Sequence, residues 1–188
     1  MTAIGSLWLP ILVTAVLIFI ASSLIHMVFK WHNSDYRKLA NEDDVRAAIR
    51  AGSPAPGQYI LPHCQDMKDM GGEDMKKKFI EGPIAFMTVR KNGPPEMGAC
   101  LFQWFVYSVA VATLCGCLAA GAVGFGVANA HQGGHIVGVA SFLAYVGGSV
   151  QMGIWMGKPW GSVAKDALDG LIYATISAMT FMYMWPAA

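Results

Sequence analysis

Three long stretches of this chain contain no Asp, Glu, Lys or Arg: Ile4 to Phe29, Met97 to Gly157, and Gly170 to Ala188. A helix that crosses the hydrocarbon of a bilayer needs about 20 apolar residues at a rise of about 1.5 Å each. The first stretch therefore holds one span, the second two and the third one. Within the second, Asn129-Ala130-His131-Gln132-Gly133-Gly134-His135 is the only polar, glycine-rich break and is expected to be the turn. The expected fold is an all-α integral membrane protein with four transmembrane helices, at residues 5–29, 99–127, 136–157 and 166–185. In domain terms, residues 1–30 are the first helix, 31–98 an insertion, and 99–188 the other three helices.

Composition supports this. Charged residues make up 13% of the 188 and apolar residues 55%, with a mean hydropathy of +0.44. A soluble domain carries about 25% charged residues. A disordered chain, a disulfide-rich secreted module and an ordinary soluble enzyme are thereby excluded. A net charge of +1 gives no electrostatic case for nucleic acid. The expected partners are membrane lipid and other membrane helices, whether of different subunits or of further copies of this chain.

Orientation follows from the positive-inside rule. Every Lys and Arg lies between Lys30 and Lys91 or at Lys158 and Lys165. With four spans, both regions fall on one side, which places residues 31–98 in the cytoplasm and both termini outside an inner membrane. Trp8, Tyr183 and Trp185 would then mark the outer interface, and Trp31, Trp104, Trp155 and Trp160 the inner one. The basic residues follow the first apolar stretch instead of preceding it, which favours an uncleaved span over a signal peptide.

The insertion reads as small α+β structure. Asn41 before Glu42, Asp43 and Asp44 is an N-cap with an acidic first turn, and Gly52 stops that helix. Residues 58–61 and 84–89 read as short strands, and Glu73 to Ile80 as a second short helix ended by Gly82-Pro83. Two strands and two short helices need support from elsewhere to be stable in water.

No catalytic set or cofactor fingerprint is visible, so neither an enzyme nor a bound cofactor is expected. Two minor metal candidates exist. His63 and Cys64 combine donors suited to soft or borderline ions, but lack the second pair of a structural zinc site. His131 and His135 have the spacing of one helix face, but Gly133-Gly134 lies between them and no acid or thiol is near. Asp166 and Asp169 are read as acids at the start of the fourth helix, with Lys165 pairing to Asp169 four residues on.

The strongest positive pattern is small residues at spacing four. Ala112, Gly116, Ala120 and Gly124 form one stripe; Ala140, Ala144 and Gly148 form another, with Ser149, Gly153, Gly157 and Gly161 beside it; Gly170, Ala174 and Ala178 form a third. Lipid does not drive helices together by burial, so close backbone approach and dispersion must do so. The functional expectation is a non-catalytic membrane subunit, an accessory, assembly or scaffolding component of a larger complex or homo-oligomer. The alternatives are a small channel or permease lined by Gly, Ser and Gln, with Gln151 and Ser149 in the pore, and a metal- or haem-binding redox subunit.

Overall fold

The structure is a computed structural model that describes residues 3–66 and 68–187. Helix accounts for 73% of the chain. In chain order the main elements are α1 (Ala3–Ser23), α2 (Glu42–Ala51), β1 (Gly57–Leu61), α3 (Glu73–Glu81), β2 (Ala85–Val89), α4 (Met97–Val123), α5 (Ala130–Met156) and α6 (Trp160–Tyr183). Three helical segments are long and apolar enough to cross a membrane: Gly5–Phe29, Met97–Val123 and Val127–Met156, of 25, 27 and 30 residues. At about 1.5 Å per residue, each exceeds the roughly 30 Å of a bilayer core. Helix α6 is 24 residues long but carries Lys165, Asp166 and Asp169 in its first half.

The chain divides into two compact units, Met1–Tyr36 with Glu96–Ala188, and Arg37–Pro95. In the second, α2 has Glu42, Asp43 and Asp44 in its first turn and Arg50 in its last, both favourable to the helix dipole. It ends at Gly52, and α3 ends at Gly82, whose φ of 61° suits a residue without a Cβ. Strands β1 and β2 pair antiparallel with Tyr59 opposite Met87. Ala85, Met87 and Val89 are the half-buried face of β2, the period-two pattern of a strand with one solvated side.

In the first unit, α1, α4, α5 and α6 pack together. One core cluster joins Leu7 and Ile11 of α1, Val111, Ala112, Cys115 and Ala119 of α4, Val137 of α5, and Phe181 and Trp185. A second joins Ile18, Ile25 and Tyr173, with Trp104 and Tyr145 against it. Glycine sets the helix separations. A Cβ on Gly116 would stand 2.6 Å from the Phe181 ring, and one on Gly134 would stand 2.7 Å from the Ala178 carbonyl oxygen. At Gly138 it would meet the Ala178 Cβ at 2.8 Å.

Several expectations need correction. The turn between α4 and α5 lies at Gly124 to Asn129, and α5 is already helical at Ala130. Gly124 and Gly126 take φ values of 70° and 125°, which a side chain resists. Gly133 and Gly134 serve packing instead: the Trp185 ring lies 2.8 Å from a Cβ built on Gly133. Asn129 closes the turn by donating from Nδ2 to the Val123 carbonyl at 2.7 Å. Helix α6 begins at Trp160, so Asp166 and Asp169 lie inside it and cap nothing. Among the aromatic residues, Trp8, Trp155, Trp160 and Tyr183 are exposed, whereas Trp185 is buried and donates from Nε1 to the Gly124 carbonyl.

The glycine environments predict opposite responses along α5. Gly134→Val forces a side chain against backbone and should destabilise the bundle by roughly 3 kcal/mol, lowering its unfolding midpoint in detergent. Gly147→Ala meets no atom of another element within 4 Å and should leave that midpoint unchanged or raised.

Candidate functional site

A cluster of charged and polar residues in the helical unit is built from both ends of the sequence. After Ser23 the chain continues as a six-residue π-helical turn, Leu24–Phe29, a rare geometry found frequently at functional sites. Lys30 then adopts φ 53° and ψ 24°, a left-handed conformation unusual outside glycine. That reversal starts a short 3-10 helix, Trp31–Asp35, which lies against α6. His26 and His32 are thereby brought together, their rings 4.9 Å apart.

Asp169 of α6 faces both rings. His32 Nε2 is 2.8 Å from Asp169 Oδ2, and His32 Nδ1 is 2.8 Å from Asp35 Oδ2. His26 Nε2 is 3.9 Å from the same Asp169 oxygen. Lys165 secures the far side. Its Nζ donates to the Trp31 carbonyl at 2.8 Å, to Ser34 Oγ at 2.7 Å and to Asp35 Oδ1 at 2.6 Å. Lys165 therefore pairs with Asp35 and not, as expected from spacing, with Asp169. Asp166 is engaged separately, accepting from Lys158 and Ser149.

The electrostatics follow from this arrangement. Burial alone would lower the His32 pKa, but the hydrogen bonds to Asp35 and Asp169 and the charges of both acids outweigh it, leaving it raised. The Lys165 ammonium, and after it the His32 ring, hold the Asp35 carboxyl down to about 2 despite its desolvation.

A cleft of about 290 Å³ opens beside the cluster, walled by His26, Asp169, Trp104, Tyr107, Tyr145 and Tyr173. Trp104 is fixed by donating from Nε1 to Ser22 Oγ at 2.9 Å, and Tyr107 by donating to the Ala144 carbonyl at 3.0 Å. Among the described residues, the buried hydroxyls of Tyr145 and Tyr173 and the Oδ1 of Asp169 have no hydrogen-bond partner. Buried polar atoms are paired in the great majority of cases, so these three atoms leave hydrogen-bonding capacity open at the cleft. The Arg37–Pro95 unit has a larger groove lined by Arg46, Arg50 and Lys91, with no buried polar group among its described lining residues.

The residues singled out from sequence fall elsewhere. His63 is exposed, and the Cys64 thiol donates to the Asp66 carbonyl at 2.9 Å. His131 and His135 lie in the first two turns of α5, both exposed. Among the described residues neither pair gathers a third donor; the one such group is His26, His32 and Asp169. Ser149 is turned towards Asp166 while Gln151, two residues on and about 200° around the helix, is exposed, so the two do not share a surface.

The small-residue stripes separate into different roles. Ala112 and Gly116 are buried within the chain, Ala120 is half-buried, and Gly124 is in the turn. Gly153 packs on Val163 and Trp160, and Gly157 ends α5 at φ 69°. Ala140 is half-buried, whereas Ala144 and Gly148 are exposed, and beyond its own helix Gly148 has no atom within 4 Å of where a Cβ would sit. Comparison of the chain with protein-family models, with curated proteins and with solved structures yields no match.

Lys165→Met removes the ammonium that ties Trp31–Asp35 to α6. Backbone amides 31–36 should then exchange with deuterium faster than in the unaltered protein, with Lys165→Arg recovering part of the protection and exchange in α4 unaffected.

Proposed function

We propose that the chain is a subunit of a larger inner-membrane assembly or a homo-oligomer, acting through lateral contact of its helices with other membrane helices. In this reading α1, α4, α5 and α6 all cross the bilayer. Residues 31–98 face the cytoplasm, and the Gly124–Asn129 turn and both termini face outside. The distribution of Lys and Arg supports that orientation. The pairing of Asp169, Asp166 and Lys165 within the chain supports α6 as a fourth span, because it removes most of the penalty for their charges.

The observation that carries the reading is an exposed stripe of small residues on the second half of α5. Ala144, Gly148 and Gln151 are exposed along one line, and Gly147 and Gly148 present bare backbone with no other element within 4 Å of the Cβ position. Small residues gain little dispersion from lipid tails, but they allow a second helix to approach closely, and an exposed amide such as Gln151 can bond across such a contact. The corresponding stripe on α4 is spent inside the chain, where Gly116 receives Phe181 and Leu7.

Gly148→Ile should therefore shift the purified protein towards the monomer in native mass spectrometry from mild detergent, with thermal stability of the monomer retained. Gly116→Ile should abolish folding altogether. Monomer in the unaltered protein, or indifference of its assembly to Gly148→Ile, would overturn the reading. For sidedness, Gln132→Cys should react with an impermeant thiol reagent on intact cells, while Cys64 should not.

A further inference from the structure

We propose that His26, His32 and Asp169 form a binding site for a first-row divalent transition metal ion. The site is made within one chain, so it stands or falls independently of assembly. Each residue offers one donor atom, and the three lie within 4.8 Å of one another; His32 Nε2 and His26 Nε2 both face Asp169 Oδ2. Donors about 2.1 Å from a shared ion stand roughly 3–3.5 Å apart. The observed 2.8 Å and 3.9 Å separations bracket that range. His26, whose side chain is half-exposed, must move inward, and the His32–Asp169 hydrogen bond must open by a few tenths of an ångström to admit the ion.

Two imidazoles and one carboxylate suit iron(II), manganese(II), cobalt(II) or zinc(II) better than calcium or magnesium, which prefer all-oxygen shells. The surrounding residues fit the same role. Asp35 accepts from His32 Nδ1, the carboxylate–histidine arrangement that fixes the tautomer and leaves Nε2 as the ligand. Lys165 and Ser34 hold this turn in place, and Lys165 keeps Asp35 oriented. Asp169 is 5% exposed, and its second oxygen, Oδ1, has no partner among the described residues. Charge allows the exchange: Asp35 and Asp169 are met by the Lys165 ammonium and a proton on His32, and a dication can take the place of that proton. When the ion binds, the proton on His32 Nε2 leaves for water through the cleft, while the proton on Nδ1 stays in its bond to Asp35.

Three protein ligands leave coordination positions open, as in sites that take water or a substrate group. The unpartnered hydroxyls of Tyr145 and Tyr173 line the cleft beside the cluster and would bond a polar group held there.

The test is titration of the purified full-length protein in detergent with cobalt(II), followed by visible ligand-field absorption, and with zinc(II), followed by calorimetry. One equivalent should bind. His26→Ala and Asp169→Asn should each weaken binding at least about tenfold, and Asp35→Asn by roughly 10- to 100-fold. The pairs His63→Ala with Cys64→Ser, and His131→Ala with His135→Ala, should change nothing. Absence of stoichiometric binding by folded protein, or binding lost in either control pair and kept in His26→Ala, would overturn the proposal. Should Asp169→Asn fail to fold, as judged by circular dichroism and gel filtration, the exposed His26 variant decides.

Discussion

The polar end of the helical unit depends on neutralising one carboxylate. Asp169 lies in the third turn of α6 and is 5% exposed, in an environment where an unpaired charge costs several kcal/mol. Its partner comes from the chain that follows α1. The π-helical turn at Leu24–Phe29 and the left-handed Lys30 turn that chain back, so that His32 reaches Asp169 across 137 residues of sequence. Lys165, one turn earlier on α6, grips the same segment through Trp31, Ser34 and Asp35. The unusual backbone and the buried charge thus support each other: without the reversal Asp169 loses His32, and without Asp169 only Lys165 ties the reversal to α6.

The opposite end is closed by packing. Trp185 lies over Gly133, donates to the Gly124 carbonyl and sits against Phe125, and the Gly126 amide donates to the Pro186 carbonyl at 3.0 Å. Between the two ends, close approach at Gly134, Gly138 and Gly170 draws α5 onto α6. The same side of α5 continues past the buried Val137 and Ser141 as Ala144 and Gly148, which are exposed. A single helix therefore carries both close internal packing and an exposed stripe of small residues.

Much of this was legible from residue patterns whose physics is local. The uncharged runs mark the long apolar helices, Asn41 and Gly52 bracket α2, and the mostly apolar run at 84–89 marks β2. What local patterns cannot carry is partner identity. Glycine reads alike whether it relieves a strained turn, as at Gly124, or admits a neighbouring ring, as at Gly133, so the α4–α5 turn was displaced towards the second. Small-residue stripes announce helix contact without saying with which helix, and those on α4 and α5 have opposite fates. The His26, His32 and Asp169 cluster was missed because spacing within α6 offered Lys165 as a ready partner for Asp169. One signal was available: an acid abutting an uncharged run with two histidines flanking the basic end of the first span.

The cluster's charge balance links its structural and chemical roles. Asp35 and Asp169 meet one ammonium from Lys165, so with a neutral imidazole the group carries surplus negative charge in a weakly polarisable setting. A proton on His32 removes that surplus and hydrogen-bonds both acids, which is why the ring holds its proton more tightly than usual. A metal ion on Nε2 would answer the same field from the same direction, with the Nδ1 bond to Asp35 unchanged. The geometry that allows an acidic helix to join an apolar bundle thus lies close to that of a ligand set, and the adjoining cleft gives it access to solvent.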